Sequence, residues 1–87
     1  MAIRLVIRGR VQGVFYRDWA VATARGLNLA GWVRNLADGA VEAAADGPAH
    51  ALEAFARACA AGPAAARVDE VVRSEEHGLL PRPFIRR

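Results

Sequence analysis

The segment GRVQGVFYR, residues 9–17, combines two glycines with an arginine at the point where an extended pattern gives way to a helical one. Gly13 permits close approach of the backbone to a ligand, and the free N–H groups of a helix N-terminus carry partial positive charge. Arg17 adds a planar guanidinium that matches two oxygens of a phosphate. The segment therefore fits a phosphate-binding loop. An ordinary glycine turn with a surface arginine is an equal alternative, because the segment matches neither a Walker P-loop nor a GxGxxG motif.

The hydrophobic patterns on either side of this loop predict a strand and a helix. Residues 3–8, IRLVIR, alternate in the period-2 pattern of a strand with one buried face. From about Tyr16 to Leu27 the apolar positions follow the helical period, and Gly26 and Asn28 provide end signals. The loop is thus expected to connect the end of a strand to the start of a helix.

A hairpin and a second helix are predicted next along the chain. AGWVRN (30–35) and AVEAAA (40–45) flank the pair Asp38-Gly39, which is typical of a tight reversal between antiparallel strands. Pro48 is suited to a first helical turn, and the apolar stripe that follows ends at Gly62-Pro63.

Two C-terminal segments complete the pattern. RVDEVVRSE (67–75) predicts a strand, and FIRR (84–87) predicts a possible short fifth strand. The order β-α-β-β-α-β indicates an α+β, ferredoxin-like two-layer sandwich in which an antiparallel sheet carries both helices on one face. Because no linker or internal repeat is evident, residues 1–87 are expected to form one domain.

The composition favours an anionic ligand without singling out nucleic acid. The net charge of +3 comes entirely from arginine, and the basic residues are spread along the chain. The single cysteine, Cys59, excludes an internal disulfide, and neither His50 nor His77 lies near it at metal-ligand spacing, so no metal is expected. No apolar run approaches the roughly 20 residues that cross a bilayer, which favours a soluble, cytoplasmic protein.

Several side chains also have an ordinary structural interpretation. Asn35 by itself is typical of a turn residue before LADG. Gln12 is either a surface residue or a brace for the loop, and Phe15 and Tyr16 either pack against the core or shape a pocket mouth. Cys59 is expected in the core, and the two histidines are expected near the surface. The arginines expected to form mainly a solvated basic surface are Arg4, Arg8, Arg34, Arg86 and Arg87.

Two segments together resemble the signature segments of the acylphosphatase family. These are GRVQGVFYR and the stretch GWVRNL-ADG-V that begins at Gly31, and the likeness extends to the Gly-Pro pair after the second helix and to the terminal FIR. This chain differs from the family's usual pattern in having Asn28 within Leu-Asn-Leu where Leu-Gly-Leu is usual, and in having Trp19 in the first helical turn. Asn tolerates positive φ, so neither change is expected to alter the chemistry, although Trp19 could alter the pocket rim.

The resemblance implies an enzyme that hydrolyses the carboxyl-phosphate bond of acyl phosphates without metal or organic cofactor. It implies that Arg17 binds phosphate, that Asn35 orients the attacking water, and that loop amides complete the phosphate site. The loop residues concerned are Gln12, Gly13, Val14, Phe15 and Tyr16. Such a site is chemically reasonable because a carboxylate leaves without much help from a general acid, and the water's proton can pass to a phosphate oxygen of the substrate.

Two other classes of function are weighed against this one. One is a binding or transfer role like that of the acylphosphatase-like domain of hydrogenase-maturation carbamoyltransferases. The other is an RNA-binding module on the same architecture, which lacks support because residues 40–45 contain no aromatic side chain. The leading expectation is a monomer that takes a small acyl phosphate, releases inorganic phosphate, and has no nucleic-acid or membrane partner.

Overall fold

The computed structural model describes residues 1–87, in which two helices cover one face of a five-stranded sheet. The elements in chain order are β1 (Ala2–Arg10), α1 (Tyr16–Gly26), β2 (Ala30–Asn35), β3 (Val41–Asp46), α2 (Ala49–Ala61), β4 (Arg67–Glu75) and β5 (Ile85–Arg86). The strands are ordered β4-β1-β3-β2-β5 across the sheet. The predicted ferredoxin-like α+β sandwich is confirmed.

One detail of the predicted sheet needs correction, because the sheet is mixed rather than wholly antiparallel. The first four strands pair antiparallel, whereas β5 pairs parallel to β2 through Trp32–Ile85 and Val33–Arg86. The reason lies in strand direction: β4 ends at the side of the sheet where β2 begins. A connection that crosses this side therefore enters β5 in the direction of β2.

The core lies between the sheet and the helices. The predicted alternation of β1 holds, since Ile3, Leu5 and Ile7 are buried on the helix-covered face. α2 buries Leu52, Phe55 and Cys59 against them, and Phe55 packs edge-to-face on Phe84 with ring centroids 5.7 Å apart. The residue just before β5 is thereby tied to α2.

The alanine-rich strand β3 is stabilised by its central position. It lies between β1 and β2 and pairs with both along its full length. Small side chains on β3 are compatible with helices lying close above the sheet. A strand of low intrinsic propensity is thus maintained by its neighbours.

The second face of the sheet carries no helix, and we call it the open face. Trp32 lies there with the guanidinium groups of Arg34 and Arg87 at 5.2 and 4.7 Å from its ring centroid. The buried carboxylate of Glu42 forms ion pairs with Arg34 at 2.7 Å and Arg4 at 3.6 Å. Neither helix of the fold has the length and apolar character that crossing a membrane requires.

Candidate active site

The loop between β1 and α1 adopts a conformation that leaves its backbone donors free. Gly13 has φ +75°, and Phe15, the residue before the first helical turn, has φ 60° and ψ 27°. A left-handed conformation at a residue with Cβ costs about 1–2 kcal/mol. No N–H group of residues 12–18 donates a hydrogen bond within the protein. Successive free N–H groups at a helix N-terminus are suited to bind an anion.

A cavity of about 290 Å³ opens at this loop. Its lining comprises Val11, Gln12, Gly13, Phe15, Tyr16, Arg17, Asp18, Asn35 and Arg86. The structure therefore brings Arg17 and Asn35, which are 18 positions apart in the sequence, to one small cavity together with four of the five expected loop residues. Val14 is the exception, because its side chain is buried in the core. The volume is near the lower end of the range of small-molecule sites, roughly 300–1,000 Å³.

Arg17 is held at the cavity by the C-terminal segment. Its Nη1 donates a hydrogen bond of 2.9 Å to the main-chain carbonyl oxygen of Arg87. The side chain is partly buried in the first turn of α1 and has no carboxylate partner. The other guanidinium donors are therefore available to an anion in the cavity.

Asn35 reaches the cavity from the last position of β2. Its side chain is exposed and makes no hydrogen bond within the protein. Gln12 Nε2 donates to the carbonyl oxygens of Leu36 and Ala40, each at 2.8 Å. Of the two alternatives for Gln12, a surface residue or a brace for the loop, the structure shows the brace. One of its two hydrogen bonds is to Leu36, the residue that follows Asn35.

The neighbouring aromatic residues Phe15 and Tyr16 have opposite environments. Tyr16 is 1 % exposed, donates its hydroxyl to the carbonyl oxygen of Cys59 at 2.6 Å, and packs edge-to-face on Trp19. Burial raises the pKa of the Tyr16 phenol well above its ordinary value. Phe15 is 81 % exposed beside the cavity. Tyr16 could have been assigned to the core, because it lies four positions before Ala20 on the buried face of α1.

Asp18 and Arg86 line the cavity although sequence reasoning did not select them. Arg86 Nη1 donates to Asp18 Oδ1 at 2.9 Å, so the strand β5 and the first turn of α1 are joined across the cavity wall. Arg86 is exposed, as expected of an arginine on a mainly solvated surface, but it also lines the cavity. Its place follows from the parallel pairing of β5 with β2, which leaves no local signal in the sequence.

The remaining candidates lie away from the cavity. His50 and His77 are exposed, as expected, and Cys59 is buried in the core, where burial raises the pKa of its thiol to about 12. Trp19 does not line the cavity, so the expectation that it could alter the pocket rim finds no support. Asn28 has φ 58°, in agreement with the positive φ expected of it. No three His, Cys, Asp or Glu side chains are grouped so as to hold a metal ion.

Comparison with known proteins identifies the family. The family model described as Acylphosphatase matches residues 3–81. The chain belongs to the acylphosphatase family. It is 62% identical over 84 residues to an acylphosphatase of Rhodospirillum rubrum, with 91% of this chain and 92% of the relative covered. The prediction of an enzyme of the acylphosphatase class is thereby confirmed, and family and fold support acyl phosphate hydrolysis.

Solved structures agree with the fold. An acylphosphatase from Coxiella burnetii is 34% identical with a TM-score of 0.93, covering 99% of this chain and 90% of that one. T. kodakarensis HypF is 30% identical with a TM-score of 0.87, covering 100% of this chain but 12% of that one. The acylphosphatase fold of this chain therefore also resembles a small part of a much longer protein.

Proposed function

We propose that the cavity hydrolyses acyl phosphates, with the free N–H groups of residues 12–17 and the Arg17 guanidinium binding the phosphate. The phosphate oxygens accept from the loop amides, and the planar guanidinium binds two oxygens at once. The transition state of phosphoryl transfer places charge on the equatorial oxygens, so donors already directed at them lower the barrier. The observation that carries this proposal is the convergence of these unpaired donors with Arg17 and Asn35 on one small cavity.

Asn35 orients the attacking water in this proposal. Its amide is free of protein partners and can hold a water by hydrogen bonds. The water oxygen forms the new bond to phosphorus while the bond from phosphorus to the acyl oxygen breaks, and the carboxylate leaves with that electron pair. The water's proton passes to a phosphate oxygen, because an amide is too weak a base to accept it.

The residues to which this chemistry is assigned all belong to one chain, so the proposed reaction does not require a second copy. The chemistry assigned to these residues uses no metal or organic cofactor.

Phosphate release from acetyl phosphate and benzoyl phosphate in excess chelator tests the proposal, with an ordinary phosphomonoester as the control substrate. We expect release from both acyl phosphates and none from the monoester. Release from the monoester at a similar rate would instead indicate a general phosphatase.

The similarity to HypF, which has been solved in a phosphate- and nucleotide-bound form, supports a second candidate, a module that binds a phosphate compound within a longer chain. Such a module would bind inorganic phosphate without turnover, so the same assay combined with phosphate titration distinguishes the two.

RNA binding is expected to be absent. The ring of Trp32 on the open face is already covered by two guanidinium groups and is not available to stack on a base. A salt-dependent shift with single-stranded RNA would contradict this.

A further inference from the structure

Phe15 is the one exposed hydrophobic residue among those that line the cavity. Among the lining residues, only Val11, Phe15 and Tyr16 are hydrophobic, and Val11 and Tyr16 are each 1 % exposed. The other lining residues are polar, charged or glycine. Phe15 is 81 % exposed. For an apolar part of a ligand in the cavity, Phe15 is therefore the one exposed hydrophobic neighbour in the lining.

The backbone of Phe15 makes this exposure unusual. The residue occupies the left-handed region at φ 60°, where glycine or asparagine is favoured over a bulky side chain. Its ring gains almost no burial within the fold to offset that conformation. Strained residues of this kind cluster at functional sites, where the strain has a role in binding.

The charged groups of the cavity are already engaged. Arg86 is paired with Asp18 at 2.9 Å, and Arg17 is the guanidinium left for the phosphate in the proposed function. An acyl group that carries its own charge consequently finds no unpaired partner in the lining. An uncharged, apolar acyl group can instead pack against Phe15.

We propose that Phe15 determines the specificity for the acyl group and selects acyl phosphates of uncharged, apolar and above all aromatic carboxylic acids. This inference rests on the proposed function, because the acyl group lies at the ring only when the phosphate occupies the loop. Contact between two aromatic rings adds to the burial of apolar area, so benzoyl phosphate gains more from Phe15 than acetyl phosphate does.

The test is the ratio of kcat/KM for benzoyl phosphate to kcat/KM for acetyl phosphate. In Phe15→Asn, which keeps a residue that tolerates positive φ, and in Phe15→Ala, we expect this ratio to fall roughly tenfold, or about 1.4 kcal/mol. Phe15→Tyr keeps the ring and is expected to keep the ratio within about twofold of the original. Because the Phe15 ring is exposed, these variants are expected to fold, which thermal unfolding checks.

Leu79→Ala is the matched control, since Leu79 is another exposed large apolar residue but does not line the cavity. It is expected to leave the ratio unchanged. A ratio that stays the same in both Phe15→Asn and Phe15→Ala would show that the inference is wrong while acyl phosphate hydrolysis stands. If the unmodified protein hydrolyses neither substrate, the proposed function fails first and the specificity role of Phe15 fails with it.

Discussion

Arg17 carries the one guanidinium of the cavity that has no carboxylate partner, and its substitution tests phosphate binding directly. We expect Arg17→Ala to lower kcat/KM for acetyl phosphate by roughly 100- to 1,000-fold, the range seen when a donor to a developing oxyanion is removed. Arg17→Lys is expected to recover little, because an ammonium cannot bind two oxygens in one plane. Steady-state kinetics and inhibition by inorganic phosphate measure both effects.

Arg57→Ala is the control for Arg17. It removes the same charge from the exposed surface of α2, away from the cavity, so it isolates the effect of net charge on an anionic substrate. We expect a change of about twofold or less in kcat/KM at physiological salt. Equal losses in Arg17→Ala and Arg57→Ala would mean that Arg17 acts only through the long-range field.

Asn35 has a different expected signature, because its proposed partner is the water and not the phosphate. Asn35→Ala is expected to lower kcat roughly 100-fold while inorganic phosphate still inhibits at a similar concentration. The side chain is exposed and makes no hydrogen bond in the protein, so its loss is expected to leave the free energy of unfolding within about 0.5 kcal/mol of the original. Thermal unfolding checks that expectation.

Asn35→Asp sharpens the same test. A carboxylate at this position repels the bound phosphate, so the variant is expected to lose affinity for inorganic phosphate as well as turnover. If Asn35→Ala weakened phosphate inhibition as strongly as it lowered kcat, the role of Asn35 would be to shape the phosphate site rather than to orient water.

At the scale of elements, the relative position of the loop and the β2–β3 hairpin depends on Gln12. Its two hydrogen bonds to Leu36 and Ala40 join the phosphate-binding loop to the turn that follows Asn35. Gln12→Ala removes both and is expected to lower the free energy of unfolding by about 1–2 kcal/mol. It is also expected to lower kcat more than it raises KM, because the free amides remain on the loop while the water site moves.

Gln12→Glu and a double-mutant cycle test the brace. A glutamate is nearly the same size but directs an acceptor at two carbonyl oxygens, so it is expected to destabilise more than alanine does. In a cycle of Gln12→Ala with Asn35→Ala, the losses in kcat are expected to be less than additive, since both act on the same water. Additive losses would show that Gln12 affects kcat independently of Asn35, and not through the water that Asn35 orients.

The sequence could predict those elements whose signal is a pattern among neighbouring residues, and it could not predict contacts between distant segments. The loop, the helix that starts at Tyr16 and the hairpin around Asp38-Gly39 each follow from short-range patterns, and all lie where expected. The path of the connection after β4 determines the pairing of β5 with β2 and the contact of Arg86 with Asp18. Hydrophobic periodicity in the sequence does not predict that path. The brace from Gln12 likewise joins positions 24 and 28 residues apart.

At the scale of the whole molecule, the open face is stabilised by charge pairing where the covered face is stabilised by apolar packing. The Glu42 side chain is 7% exposed between Arg4 and Arg34, whose side chains are 44% and 48% exposed. A carboxylate so far removed from water persists because it is paired and hydrogen-bonded. It lies on the central strand β3, so its environment depends on β1 and β2 together.

Glu42→Ala tests this arrangement and is expected to lower the free energy of unfolding by about 2 kcal/mol. Breaking a fully buried pair costs about 3–5 kcal/mol, but the two arginines are near half exposed and can rehydrate, which reduces the loss. Differential scanning calorimetry should show a fall in Tm of roughly 4–8 °C per kcal/mol for a domain of this size. Glu53→Ala, which breaks the 2.8 Å pair with Arg73 on the exposed side of α2, is the matched control and should lower the free energy of unfolding clearly less, because both partners of that pair are solvated. Similar losses in the two variants would mean that burial makes the ion pairs of Glu42 no stronger than an exposed pair.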